Sequence, residues 1–428
     1  MTRIRPSSKH LSLKAAAIMA ILTGASLRAD TEVAPAQAAD MTVPGNQPAT
    51  PVSLSTQDKR ADEIRGTINL GSHMTDRSDF EGAEIAYRQV LNSRDASPAA
   101  IKAALLGLAH MHRKKGELTK AVAIYEKYLK DYPGDDLAPD ALLDLGRSLR
   151  EMGAYTTAIA RFYSVINSTL KLPPGGFMHY QQLAKTAQFE IAETHFQAGE
   201  YAEAGKFFSR LRLLDLAPPD RAHAHFMAAY SLYLQKNMEA TVNMLNSFLD
   251  QWPDDENVPE ARYMLATSLR AMKRPQEAFA ATLQLLQAEK SRVEANPKRW
   301  SYWQRRTGNQ LANDFFEDGD IMNAEAIYAG LAAISDDPAW QLPVTYQLAL
   351  CDERLGNTDK ARLSYEKVVD SVKGDAQTSF LELKRLAAWR LGELDWRESV
   401  SHKVSALMDT QTGHLVSQPP KKAAAPVQ

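Results

Sequence analysis

The sequence predicts an all-α protein built from stacked helix hairpins. Three observations carry that expectation. Apolar residues recur at helical spacing from about Ala61 to Glu398, Gly, Asn or Pro break the pattern at short intervals, and a pair of small residues twelve positions apart recurs eight times. β-strand alternation is nearly absent. With 428 residues and 44% hydrophobic content, the chain can bury a sizeable core.

The opening segment reads as an address. Arg3, Arg5, Lys9 and Lys14 precede a short apolar run from Ala15 to Leu22, followed by Thr23, Gly24, Ala25 and Ser26, the layout of a secretory signal peptide. A bilayer span needs roughly 20 apolar residues. This run is shorter and no comparable one follows, so no transmembrane segment is expected. We place cleavage between Ser26 and Ala29 and assign residues 1–29 to the signal. No cysteine stands just after the apolar run, so a lipid anchor is not expected. Residues 30–60 are rich in Ala, Pro, Thr and Gln, and residues 399–428 contain Pro419-Pro420-Lys421-Lys422. Both are expected to be disordered, which leaves residues 61–398 for the fold.

Within that span the paired small residues are Gly71 and Ala83, Ala109 and Ala121, Gly146 and Ala158, Ala192 and Ala204, Ala229 and Thr241, Ala266 and Ala278, Ala312 and Ala324, and Ala349 and Ala361. Four residues after the second member comes a large side chain: Tyr87, Tyr125, Phe162, Phe208, Leu245, Tyr328 and Tyr365, with Thr282 the exception. Small residues let two helix backbones approach and the large ones fill the adjoining holes. Gly116, Gly153, Gly199, Gly319 and Gly356 sit where a left-handed residue would end the first helix of a pair. Pro133 and Pro253 close second helices.

This pattern resembles the tetratricopeptide repeat, whose signature is a Leu-Gly pair, an Ala-x-x-x-Phe and a closing Pro. Leu145-Gly146, Gly153, Ala158 and Phe162 fit it closely in one repeat. The resemblance implies a right-handed α-solenoid of about eight hairpins. A last apolar helix, Phe380 to Trp396, would act as its cap.

A second level of order lies in the spacing. Successive second small residues from Ala121 onward are separated by 37, 46, 37, 37, 46 and 37 positions. A shift of 120 residues lays Tyr132-Pro133 on Trp252-Pro253 and Ser148-Leu149-Arg150-x-Met152 on Ser268-Leu269-Arg270-x-Met272. We infer a duplicated block of three repeats. Each copy carries a nine-residue insertion, near Pro173 to Tyr180 and near Ala295 to Trp303.

The usual catalytic spacings are missing: no Gly-rich loop ending in Gly-Lys-Ser/Thr, no His-Glu-x-x-His and no Gly-x-Ser-x-Gly. His110 with His112, and His223 with His225, are two apart, which on a helix points them about 200° apart rather than toward one metal. Asp135-Asp136 and Asp254-Asp255-Glu256 precede helices and read as caps. Cys351, the lone cysteine, excludes an intramolecular disulfide and reads as a buried spacer. With 50 Lys plus Arg against 52 Asp plus Glu, the chain is not a basic nucleic-acid binder. Neither a cofactor nor a metal is expected.

The resemblance also implies that first helices line a concave groove. Positions three before, one after and four after the first small residue would then face a partner. These include Arg113, Arg147 and Arg150, then Phe189 and Phe196, then Phe226, Tyr230 and Tyr233, then Tyr263, Arg270 and Phe316. The groove is expected to be aromatic in its middle and basic toward its N-terminal part, a composition suited to gripping a protein or peptide. The alternative is that several aromatics pack between neighbouring repeats. The second insertion offers a further patch, Arg299, Trp300, Trp303 and Arg306, or else merely lengthens a helix whose tryptophans pack on the preceding repeat.

Residues 132 to 141, Tyr-Pro-Gly-Asp-Asp-x-Ala-Pro-x-Ala, look like the repeats of bacterial outer-membrane assembly lipoproteins and of the periplasmic Tol-Pal-associated coordinator. The resemblance implies an exported, non-catalytic scaffold for a protein or peptide partner in the cell envelope, in the periplasm or peripheral to the outer membrane. The alternative is an accessory subunit or degenerate relative of a solenoid cell-wall enzyme, or a component of secretion or polysaccharide export.

Overall fold

The computed structural model describes residues 56–169, 177–372 and 378–416; the expected signal peptide and most of the expected linker lie outside them. Among the described residues there are helices and turns and no strand. The chain divides into two compact units, Met1–Phe207 and Phe208–Gln428.

In the first unit, α1 (Thr56–Asp76) and α2 (Phe80–Asn92) form a hairpin, as do α3 (Pro98–Lys115) with α4 (Leu118–Asp131) and α5 (Ala138–Glu151) with α6 (Tyr155–Thr169). Helices α7 (Phe177–Gln197) and α8 (Tyr201–Leu211) follow, and the boundary between the units falls inside α8. The second unit pairs α9 (Pro218–Leu234) with α10 (Met238–Gln251) and α11 (Val258–Ala271) with α12 (Pro275–Leu286). After the short α13 (Lys290–Ala295) come α14 (Pro297–Glu317) with α15 (Ile321–Ala332), α16 (Pro338–Arg354) with α17 (Thr358–Ser371), and finally α18 (Thr378–Val416). Within each unit, hairpins pack on their sequence neighbours, which is the arrangement of an α-solenoid.

The small residues explain the hairpins. Ala83, Ala121, Ala158, Ala204, Thr241, Ala278, Ala324 and Ala361 are all fully buried. The large residues four positions on are buried as well, Thr282 included, whose hydroxyl donates to the carbonyl of Ala278 at 2.8 Å. At Gly146 the fit leaves no room for a methyl group: a Cβ there would stand 2.5 Å from the buried Phe162 ring.

Each first helix ends on a residue with positive φ seven positions after its small residue. All five predicted turn glycines have this conformation, with φ between 78 and 85°. The other three repeats use Ser78 (φ 63°), Lys236 (φ 61°) and Lys273 (φ 59°). The next residue begins the second helix, and Asp79, Asn237 and Asp320 each accept a hydrogen bond there from a backbone N–H three residues ahead.

Asp135 and Asp255 act as local caps. Their carboxylates accept from the backbone N–H groups of Leu137 (3.0 Å) and Asn257 (2.8 Å). Burial raises the pKa of the Asp135 carboxyl, but hydrogen bonds from Lys102, Tyr128 and Leu137 outweigh it and hold the group below its ordinary value.

Two expected boundaries move. Thr56 to Arg60 already belong to α1, and α18 continues unbroken to Val416, beyond the expected start of a disordered tail at 399. Its residues 399–416 contain no proline or glycine until Gly413, so nothing in the sequence stops the helix where its core contacts cease. The first insertion is described from Phe177 onward; that part and residues 297–303 of the second belong to first helices of 21 residues each, α7 and α14. Cys351 is fully buried, and burial pushes its thiol up to about 12.

Two substitutions test this geometry. Gly146→Ala should lower unfolding stability by about 1–3 kcal/mol through overpacking against Phe162, despite the better helix propensity of alanine. Lys273→Gly should raise it by about 0.5–1 kcal/mol by relieving a left-handed lysine. Urea midpoints of the variants measure both, and a stabilised Gly146→Ala would show that the ring can move aside.

Candidate partner-binding site

The predicted residues fall into the two units and behave differently in each. In the first unit the arginines are interlocked with carboxylates of neighbouring first helices. Arg113 on α3 pairs with Asp144 (3.2 Å) and Glu151 (3.1 Å) on α5. From α5, Arg147 and Arg150 both reach Glu190 on α7, at 2.6 Å each, and Arg147 also meets Asp144 at 3.3 Å. Arg150 and Glu190 are buried. The expected basic end of the groove is therefore neutralised, because each guanidinium has found its anion within the fold. Phe189 and Phe196 are half-buried, and Phe196 meets Tyr201 edge-on with centroids 5.4 Å apart.

In the second unit, three predicted contact residues are core. Phe226 is buried against Phe248 (5.6 Å), Tyr263 is buried against Trp303 (5.0 Å), and Trp300 is buried. Phe226 and Tyr263 both sit three residues before the small position; Phe248, from the second helix of its own hairpin, meets Phe226, and Trp303, from α14, meets Tyr263. Arg270 lies over Phe315 (4.8 Å) and pairs with Asp318, and Arg299 pairs with Glu260 (3.4 Å) and Glu256 (3.6 Å). The position equivalent to Arg299 under the 120-residue shift is His179, which meets Asp140 at 3.2 Å, the counterpart of Glu260. Phe316 is half-buried beneath Arg354 (5.3 Å).

What remains open is a cluster on α9, α11 and α14. Tyr230 and Tyr233 on α9 are half-buried, with ring centroids 6.5 Å apart. The hydroxyl of Thr267 on α11 lies 3.3 Å from that of Tyr233. Arg306 on α14 lies over the faces of Tyr263 (5.0 Å) and Trp303 (5.5 Å) and donates to the hydroxyls of Tyr302 (2.9 Å) and Tyr263 (3.4 Å). Burial works against its charge, and the hydrogen bonds it donates to these tyrosines reverse that effect. Among the described residues, Arg306 is the predicted arginine that has no carboxylate beside it. Tyr302, which the sequence pattern did not single out, is exposed.

Two open hollows elsewhere contain none of the predicted residues. One of about 380 Å³ lies beside Arg88, Leu108 and His112, and one of about 330 Å³ beside Leu286, Pro297 and Gly330. Of the paired histidines, His112 is buried against Glu117 (2.8 Å) and His225 is buried beneath Trp252, whose ring N–H donates to it at 3.3 Å. No group of three or more potential metal ligands occurs among the described residues, and no helix among them is long and apolar enough to cross a membrane.

Comparison with known families agrees with the hairpin geometry. Two tetratricopeptide-repeat families match, one over residues 70–136 and the other over 140–168 and again over 344–372. The chain is a tetratricopeptide-repeat protein. Residues 181–297 of this repeat protein also match a family described as outer membrane lipoprotein, YfiO. No curated protein sequence matches it. Similar solved structures include a tetratricopeptide-repeat protein from Parabacteroides merdae, at 14% identity over 76% of this chain and 99% of the other, with a TM-score of 0.40. Another is the C-terminal part of a repeat protein from Cytophaga hutchinsonii (10% identity, 63% and 96% covered, TM-score 0.48), and a third is PilF of Pseudomonas aeruginosa (18% identity, 58% and 99% covered, TM-score 0.39). A tetratricopeptide array is a protein-interaction scaffold, and that is the general role of this chain.

The carboxylates that occupy the arginines were the residues missed in the sequence, although a signal was present. Asp144 and Glu190 both stand two positions before a small residue, facing arginines at one or four positions after the small residue of the preceding repeat. Removing one partner of such a buried pair leaves the other unpaired. Glu190→Gln should therefore cost about 2–4 kcal/mol, whereas Glu200→Gln, at an exposed site beside His195, should cost under about 1 kcal/mol. Equal losses in chemical denaturation would show that the interlock adds nothing.

Proposed function

We propose that this repeat protein is an exported scaffold that holds a protein or peptide partner in the bacterial cell envelope and performs no catalysis itself. Export is supported by the basic, apolar and small-residue order of residues 1–29, and the envelope by the match of residues 181–297 to an outer-membrane lipoprotein family. The placement is periplasmic or peripheral to the outer membrane.

The observation that carries the binding reading is the Arg306 cluster. A guanidinium backed by two aromatic faces and oriented by two tyrosine hydroxyls is already fixed in position, so little entropy is lost when it meets an anion. Its free N–H groups suit a carboxylate, and the half-buried rings of Tyr230, Tyr233 and Trp303 offer apolar surface beside it. The partner is therefore a polypeptide presenting an acidic side chain or terminal carboxylate next to an apolar residue. Arg113, Arg147, Arg150, Arg270 and Arg299 hold the scaffold together instead. Phe189, Phe196 and Phe316 extend the contact surface of their own units.

The test is photocrosslinking in intact cells from position 302, followed by affinity measurement with the captured envelope protein. Arg306→Ala should weaken binding by about tenfold or more without moving the melting temperature, and added salt should weaken the native complex. Retention of the chain in the cytosol, or undiminished binding by Arg306→Ala, would refute the reading.

A further inference from the structure

Helix α18 carries an apolar stripe that the hairpins of its own chain do not cover. Its inner side packs Ala387 and Leu394 against Ala349, Ala361, Tyr365 and Val368. On a different side Leu386, Trp389, Trp396, Val400, Val404 and Leu407 are between 37 and 67% exposed. From Asp395 to Met408 every residue is exposed, so about 20 Å of helix stands clear of the second unit's core. An isolated helical segment of this length is marginal in water, and its stability calls for an apolar surface to cover it.

The stripe has a register. Positions 386, 389, 393, 396, 400, 403 and 407 alternate steps of three and four, the seam of a coiled coil. Five of the seven are apolar, and two carry charge: Glu393, which sits between Arg390 (3.6 Å) and Arg397 (2.7 Å), and Lys403. Lying the helix antiparallel on a copy of itself places Trp389 opposite Leu407, Trp396 opposite Val400 and Glu393 opposite Lys403. Each contact occurs twice by two-fold symmetry. In each of these three layers a large ring meets a smaller aliphatic group, or an acid meets a base. A parallel pairing would set Glu393 against Glu393 and Lys403 against Lys403, which is repulsive.

We propose that α18 is a homodimerisation element, pairing antiparallel with α18 of a second copy through this stripe. The occupant is identified by the self-complementarity of the seam: a helix whose charges match its own reverse needs no other partner. The proposal is independent of the Arg306 reading, since the two surfaces share no residue.

Sedimentation velocity of the full chain from about 1 to 100 μM should show a monomer–dimer equilibrium, and Trp396→Ala should shift it to monomer. Glu393→Lys and Lys403→Glu should each weaken the dimer on the order of tenfold when alone, and an equimolar mixture of the two should dimerise like the parent chain. The mixture decides the matter even if the Trp396 variant loses helicity, because both charge variants keep the tryptophans. A chain monomeric throughout, a dimer indifferent to Trp396, single reversals without effect, or a mixture that stays monomeric would each overturn the proposal. A monomer whose α18 stripe is instead covered by a different protein appears as the first of these.

Discussion

The structure depends on two helix backbones meeting at small side chains. In each repeat a residue no larger than threonine sits where the second helix crosses the first, and a ring or branched side chain one turn on fills the space beside it. The short connection follows from that closeness. Only a left-handed residue reverses the chain quickly enough to bring the second helix down onto the first, and it occurs at the same place in every repeat whether or not it is glycine. Hydrophobic burial then extends hairpin by hairpin, since a single pair cannot cover both of its apolar sides.

This constraint is why so much of the fold was legible. A small residue, a twelve-residue interval and a glycine at the turn are marks that packing leaves directly on the sequence. Ser78, Lys236 and Lys273 were not legible as turns, because their side chains give no sign of the strain their backbones carry. The end of α18 was not legible for a related reason: Ser401 to Met408 has no helix breaker but also no inward-facing core, so the core pattern stops before the helix does. The candidate site was read less well. Position alone suggested that Arg113, Arg147, Arg150, Arg270 and Arg299 pointed at a partner, but a charge on a first helix is within reach of the next first helix and pairs there when a carboxylate is at hand. Arg306 differs through its neighbours, Tyr263, Tyr302 and Trp303, which come from two helices and become adjacent only in the folded chain.

Charge and aromatic surface thus divide the labour within a repeat array. Interlocked ions fix the relation of one hairpin to the next, because their geometry tolerates little sliding once both partners are buried. Aromatic and singly placed basic groups are left for contact with others. The duplicated block uses the same position for the same purpose with different partners: Arg150 is locked by Glu190, while its counterpart Arg270 pairs with Asp318 and lies over Phe315. Copies of one hairpin have diverged without disturbing the crossing on which they are built.

The sealed thiol of Cys351 has a consequence for life in an oxidising surrounding. A protein with one cysteine cannot close a bridge within itself, so an accessible sulfur would join two chains at random or take up oxidant. Here the sulfur, carried on α16, is fully buried, and burial pushes the thiol up to about 12, which disfavours the reactive thiolate for as long as the eighth repeat is closed. The same atom would then report, by its first appearance to a thiol reagent, the moment that repeat opens.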